Sequence, residues 1–159
     1  MKFSTREELA LPAEDAFAEL TNFTRFERQA LRRGIEIARQ KKILPDGTER
    51  IFWQASFRWR GRERRLRADL IECLPPERLL IEAQSGGIDS DLLVDLTPLS
   101  PDRTRLRVQL ELRPQTMAAR FLIQSLKLGK PRLMRRFKGR VSRFAREIEE
   151  RWKESSRPW

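Results

Sequence analysis

One long amphipathic helix near the C-terminus constrains the fold of this chain most. Between Thr116 and Trp152, nine apolar side chains fall within roughly one third of the circumference of a helix that turns about 100° per residue. These side chains are Ile123, Leu126, Leu133, Met134, Phe137, Val141, Phe144, Ile148 and Trp152. Such a helix is not stable alone in water, because it gains stability by burying its apolar stripe. The rest of the chain is therefore expected to supply the covering surface.

Alternating apolar and polar residues predict seven β-strands before this helix. Their ranges are 2–11, 35–42, 51–59, 65–70, 79–83, 88–96 and 105–113. Two short helices are predicted after the first strand, the first opened by Pro12, the second capped by Thr21 or Asn22 and closed by Gly34. Turn residues separate most of the strands, so neighbouring strands are expected to pair antiparallel with their apolar sides on one face.

The long helix is the only predicted element large enough to cover that face. Gly129-Lys130-Pro131 is expected to break it, because proline lacks a donor and clashes with the preceding turn. Phe121 and Leu128 lie off the apolar stripe, and we expect the kink to return them to the core. At 159 residues the chain fits one domain, placed at 1–154, with a frayed tail at 155–159.

Positive charge is concentrated in the same C-terminal segment. The chain has a formal charge of +11, and 13 Lys or Arg against four acids lie from residue 116 onward. The basic helix face comprises Arg132, Arg135, Arg136, Arg143 and Arg146. A basic amphipathic helix can meet nucleic acid, anionic lipid or an acidic partner, or can simply be solvated. Weak, salt-sensitive association with polyanions is expected, although few aromatic residues on this face could stack on bases.

The side chains usual in catalysis and metal binding are scarce. The chain has no His and no Tyr, and its one cysteine, Cys73, lies in an apolar run that predicts a packed thiol. No catalytic, metal or cofactor motif is found, so no cofactor or metal is predicted. Strand alternation puts Glu7 and Glu72 on the apolar side, either as a buried acid or base or as a strand-end residue paired with a cation. Neither a signal peptide nor a membrane-spanning run is visible, and a cytoplasmic location is expected.

The order of these elements resembles the START-like superfamily, also called SRPBCC, the polyketide cyclase/dehydrase and lipid-transport group. Two motifs add to the resemblance, Leu11–Phe17 (LPAEDAF) and Phe23–Glu27 (FTRFE). The resemblance implies an α+β helix-grip fold, in which a curved antiparallel sheet of about seven strands wraps around the long helix. It also implies an elongated cavity for an apolar ligand such as a lipid, sterol or polyketide.

Such a cavity would be lined by apolar residues of the sheet and the helix. The candidate ligand-binding residues are Trp53, Phe57, Trp59, Leu66, Leu70, Leu106, Leu110, Phe137 and Val141, with Glu7 and Glu72 as candidate polar groups. Alternatively, Trp53 and Trp59 only pack against Phe137 and Val141. Three functions remain open: a carrier or sensor of a small hydrophobic ligand, a cyclase-like enzyme, and a module that binds nucleic acid or anionic membrane through the basic helix face.

Overall fold

The computed structural model describes residues 1–156, in which seven antiparallel strands form one curved sheet. The strands are β1 (Lys2–Leu9), β2 (Glu36–Ile43), β3 (Glu49–Trp59), β4 (Arg62–Leu74), β5 (Arg78–Ser85), β6 (Ile88–Ser100) and β7 (Arg103–Pro114). Their order across the sheet is β1-β7-β6-β5-β4-β3-β2. The predicted α+β helix-grip architecture is therefore confirmed.

Two short helices follow β1, namely α1 (Ala13–Leu20) and α2 (Phe23–Arg32). The side chain of Asn22 caps α2 by accepting a hydrogen bond from the backbone N–H of Arg25 at 3.2 Å. Thr21 instead donates its hydroxyl to the carbonyl of Phe17 at 2.9 Å. Gly34 ends this region with a φ of +81°, a conformation in which other residues are strained.

The C-terminal segment forms two helices, α3 (Met117–Leu128) and α4 (Lys130–Ser156). The break at Gly129 confirms the predicted interruption, and Pro131 lies in the first turn of α4, where a missing N–H costs little. The prediction that Phe121 and Leu128 return to the core is wrong, because they are 65% and 89% exposed. Helix α4 continues through Ser156, past the expected start of the tail, and residues 157–159 lie outside the described range.

The main core lies between α4, α1 and the inner face of β1, β5, β6 and β7, a region we name the packed half. Its buried members are Leu9, Leu11, Ala16, Phe17, Leu20, Leu79, Val94, Leu96, Leu106, Val108, Val141, Ala145 and Ile148. The predicted inward face of the helix is confirmed by Val141 and Ile148. Thr104 is also fully buried, and its hydroxyl donates to the carbonyl of Leu11 at 2.9 Å.

The rest of the sheet, β2, β3 and β4 with α2, forms what we name the open half. Trp53 of β3 is 6% exposed, and Phe23 of α2 contacts it edge-on with ring centres 5.1 Å apart. Val141 belongs instead to the core cluster of the packed half, and Phe137 packs against that cluster, which does not include Trp53. Helix α2 therefore covers Trp53, whereas the sequence analysis expected the C-terminal helix to cover it.

A β-bulge in β4 changes which side chains face the helix. Leu70 pairs with Ile81, but Glu72 pairs with Leu80, so one extra residue is inserted in β4. Directly paired residues share a face, so Glu72 joins Leu80 on the outer face, and its predicted position on the apolar side is wrong. Cys73 is exposed near the end of this strand, so the predicted packed thiol is also wrong.

Candidate functional site

Five of the predicted ligand-binding residues face the interior and are only half-buried. Leu70 and Phe137 pack at the border of the core, and Phe57, Leu66 and Leu110 lie on the same face, all half-buried. We name these five the open inner surface. Half-buried apolar side chains that face the interior can take an apolar ligand, because their remaining exposed area is still available for burial.

Two other predicted ligand-binding residues are part of the close-packed core. Leu106 is fully buried and Val141 is 8% exposed, and both belong to the core cluster. Protein cores are packed as densely as organic crystals, which leaves no room for a ligand beside such side chains. The structure therefore divides the predicted set between a filled region and the open inner surface.

A polar network attaches α2 to the inner face of the open half. The indole Nε1–H of Trp53 donates to Glu27 Oε2 at 2.8 Å, and Arg39 Nε lies 3.0 Å from the same oxygen. Arg39 also donates to the hydroxyl of Thr24 at 3.2 Å. These bonds satisfy polar groups that would otherwise be costly to cover. Trp53 is consequently fixed in place by α2, whatever else binds on this face.

Sequence reasoning did not single out Glu27 or Arg39 for this network. Glu27 follows Phe23 by four residues and so shares its helix face, while Arg39 pairs with Trp53 across β2 and β3. The spacing of Glu27 on α2 could have indicated a carboxylate directed at the sheet. The pairing of Arg39 with Trp53 depends on strand register, which the sequence leaves open.

Trp59 lies at the tip of the β3–β4 hairpin and is 38% exposed. Arg60 and Gly61 form the turn with φ values of 52° and 75°, the combination that a tight hairpin requires. The guanidinium carbons of Arg60 and Arg64 lie 4.5 and 5.5 Å from the centre of the Trp59 ring, within cation–π range. Within the described residues, the buried Nε of Arg64 has no hydrogen-bond partner.

The two candidate acidic groups do not converge. Glu7 is half-buried on the inner face of β1, where it pairs with Leu106, while Glu72 lies on the outer face of β4. A paired acid and base must reach the same substrate atoms, and these two carboxylates are separated by the sheet. Among residues 1–156, no group of three His, Cys, Asp or Glu side chains could hold a metal ion.

Two open clefts lie on the sheet, and one of them reaches Leu66 of the open inner surface. One has a volume of about 1280 Å³ and includes Arg6, Arg105, Arg107 and Lys138 in its lining. The other has a volume of about 810 Å³ and crosses strands β2 to β6, next to the Gly86–Gly87 turn. Most of their side chains belong to the outer face; the second cleft includes Leu66, and neither includes Phe57, Leu70, Leu110 or Phe137.

The predicted basic face of the C-terminal segment is fully displayed to solvent. All five of its residues, Arg132, Arg135, Arg136, Arg143 and Arg146, are exposed. None of the five forms an ion pair with any carboxylate of residues 1–156, whereas Arg151 further along α4 pairs with Glu19 at 3.0 Å. The face is thus an uncompensated patch of positive charge.

Solved structures share this fold over nearly the whole chain. The Zhui aromatase/cyclase from a Streptomyces species superposes with a TM-score of 0.67 at 12% identity, covering 98% of both chains. A protein from Thermus thermophilus gives 0.62 at 13% identity, covering 99% of this chain and 100% of the other. A START superfamily protein from Mycobacterium smegmatis gives 0.50 at 18% identity, covering 89% and 97%.

The sequence itself matches no protein-family model and no curated protein. Identities this low relate folds alone, since one fold can carry unrelated activities. The predicted resemblance is confirmed at that level: the chain has the START-like, SRPBCC-type helix-grip fold.

Proposed function

We propose that this protein binds, carries or senses a small hydrophobic ligand, lipid-like or polyketide-like, between the sheet and the C-terminal helices. The observation that supports this most is the open inner surface, where Phe57, Leu66 and Leu70 stay half-buried although they face the interior. A ligand placed there would gain about 25 cal/mol for each Å² of apolar area removed from water. Cytoplasmic location and the absence of catalysis stay predictions.

A cyclase-like activity is the enzymatic alternative, and it has less support. The Streptomyces structure named above is called an aromatase/cyclase, but a similarity at 12% identity supports a shared fold and not a shared activity. Glu7 and Glu72, the acidic candidates from the sequence, lie on opposite faces of the sheet. We therefore expect ligand binding without turnover.

Ligand titration tests the proposal. Fatty acids, sterols and aromatic polyketides are added separately to the protein, and binding is followed by calorimetry and by the melting temperature, which a ligand of the folded state raises. We expect at least one of these classes to bind in the micromolar range and raise the melting temperature. A flat calorimetric titration with every class, together with an unchanged melting temperature, would remove the proposal.

A pair of matched substitutions locates the site. Leu66→Trp fills the open inner surface, and Leu93→Trp places the same bulk on the outer face, where Leu93 is half-buried opposite Leu80. We expect Leu66→Trp to abolish binding and Leu93→Trp to leave it unchanged, with both variants folded by circular dichroism. Equal binding by the two variants would contradict the location.

The basic face carries a second, weaker expectation. Ten Lys or Arg and no acid lie between residues 115 and 146, so polyanions should associate without a shaped site as counterions are released. This association should fade as salt rises towards about 0.15 M, where the Debye length is about 8 Å. Such binding alone would be electrostatic attraction and not a specific function.

A further inference from the structure

One end of the sheet carries several exposed apolar side chains. Strands β1 and β7 begin and end there respectively, and antiparallel pairing brings the β3–β4 hairpin and the start of α3 to the same end. Met117, Phe121 and Leu128 of α3 are 62%, 65% and 89% exposed, and Trp59 at the hairpin tip is 38% exposed. We name this region, defined by these four residues, the α3 end.

Helix α3 is apolar on two opposite sides. Ala119 and Ile123 are buried towards the sheet. Met117, Phe121 and Leu128 lie within about 40° of one another on the other side, at 100° per residue. A helix that only covered the sheet would need one apolar side. The second side therefore indicates a binding surface, as exposed apolar patches generally do.

Positive charge surrounds this apolar side. Lys127, Lys130 and Arg132 flank Leu128 in sequence, and all of the Lys and Arg residues between 115 and 146 lack a carboxylate neighbour in that stretch. Phe137 contacts Phe3 with ring centres 5.7 Å apart, and Glu149 accepts from the N–H of Ala10, so α4 runs in the direction of β1. The first turns of α4 consequently lie at the α3 end.

This combination of charge and apolar area discriminates among three occupants. A second copy would bring the same uncompensated positive charge against itself. Nucleic acid would neutralise the charge, but Met117 and Leu128 have no aromatic ring for base stacking and would gain little beside phosphates. An anionic lipid surface satisfies both features, because the acyl boundary takes the apolar side chains and the headgroups attract the cations.

We propose that the α3 end docks on the surface of an anionic lipid bilayer. Helix α3 then lies in the plane of the interface with Met117, Phe121 and Leu128 in the headgroup and acyl boundary, and Trp59 sits at the level of the headgroups, where indoles are enriched. Among residues 1–156, no helix is long and apolar enough to cross a membrane. The inference goes beyond the proposed ligand binding, and each can fail without the other.

Vesicle sedimentation tests the apolar contribution. The full chain is mixed with vesicles of phosphatidylcholine, with or without about one quarter phosphatidylserine, at about 0.15 M NaCl, where exposed charges are screened beyond about 8 Å. The double variant Phe121→Ser, Leu128→Ser should bind anionic vesicles at least about 10-fold more weakly, because two apolar anchors are lost. Ile43→Ser, which replaces a 76% exposed residue at the opposite end of the sheet, should bind like the parent chain.

A charge-matched pair tests the electrostatic contribution. The triple variant Lys127→Glu, Lys130→Glu, Arg132→Glu should lose binding to anionic vesicles, while Arg6→Glu, Arg105→Glu, Arg107→Glu changes the net charge equally on the outer face of β1 and β7 and should keep it. Lys127 and Arg132 are exposed and Lys130 is half-buried, and circular dichroism should show folded proteins. Should the Phe121→Ser, Leu128→Ser variant unfold, Met117→Ser, Leu128→Ser replaces it.

Several outcomes would overturn the proposal. The first is that the protein does not sediment with anionic vesicles at about 0.15 M NaCl. The second is that it binds equally well to vesicles without phosphatidylserine. The third is that the Phe121→Ser, Leu128→Ser variant binds as tightly as the parent chain. Tighter binding to a DNA duplex than to vesicles would assign the surface to nucleic acid, and a dimer that the double substitution dissociates would assign it to a second copy.

Discussion

The packed half and the open half of the sheet show the same alternation in sequence and different degrees of burial in the structure. In the packed half, Leu106 and Ile148 are completely buried. In the open half, Phe57 and Leu66 stay half-buried, and Trp59 is 38% exposed. Alternation fixes which face of a strand is apolar, but the covering elements decide how much of that face leaves water.

The covering elements differ in kind. Helix α4 lies along β1 and inserts Val141, Ala145 and Ile148 into a shared core. Helix α2 covers the open half through one ring contact and a polar network that ends at Trp53. Helix α4 excludes water over a wide area of the packed half. Helix α2 fixes Trp53 but leaves neighbouring side chains of the open half accessible to water. We attribute stability chiefly to the packed half and ligand binding to the open half.

The largest expected effect comes from placing a charge in each half. Ile148→Asp loses packing worth about 2–5 kcal/mol and also buries an unpaired carboxylate, so we expect an unfolded chain. Phe57→Asp leaves its carboxylate in reach of water and should yield a folded, mildly destabilised protein. Urea unfolding followed by circular dichroism makes the comparison. If the two variants were destabilised equally, the open half would be packed as tightly as the core.

The sequence predicts the packed half well because its signals are local and consistent. The helix stripe that contains Val141 and Ile148, the break at Gly129 and the alternating strands all follow from periodicity, glycine and proline. These signals agree with the global fold, and such agreement is what makes a fold readable from one sequence. The helix-grip arrangement was accordingly predictable.

The errors fall where one residue changes the register or where two helices compete for one surface. The bulge after Leu70 reverses the alternation, so Glu72 moved to the outer face although its spacing from Leu70 predicted the inner one. Nothing in the spacing of Trp53 tells whether α2 or α4 covers it. The helix projection placed Phe121 and Leu128 off the apolar stripe, and the error was to expect the break at Gly129 to return them to the core, because both residues lie before it in α3.

A pair of glycine substitutions compares the turns of the two halves. Gly61 in the open half and Gly87 beside α3 have φ values of +75° and +76°, so alanine is strained equally at both. A Cβ at Gly61 meets nothing within 4 Å, but one at Gly87 would lie 2.6 Å from Oγ1 of Thr116. That oxygen caps α3 by accepting from the N–H of Ala119 at 3.1 Å.

We therefore expect Gly61→Ala to cost about 1 kcal/mol from the backbone alone. Gly87→Ala should cost about 2–3 kcal/mol, because displacing Thr116 also weakens the helix cap. Thermal melts of both variants measure the difference. Equal costs would mean that Thr116 moves aside freely and that the turn does not support the start of α3.

The smallest effect concerns a carboxylate on the outer face of the open half. A hydrogen bond from Arg67 Nε at 2.9 Å lowers the pKa of Asp69 below its ordinary 3.8, with further help from the charge of Lys42. A carboxylate whose pKa is lower in the folded state stabilises the fold above its unfolded pKa, and this contribution is lost as the pH falls through the folded value. Asp69→Asn should therefore be slightly less stable than the parent chain at pH 7, with the difference disappearing in acid below about pH 3.8.

Glu82→Gln is the control, because Glu82 pairs with Asp69 across β4 and β5 and has no ion-pair partner within residues 1–156. Urea midpoints across this pH range should move for Asp69→Asn alone; a difference that persists undiminished in acid would show that Asp69 acts through packing and not through its charge.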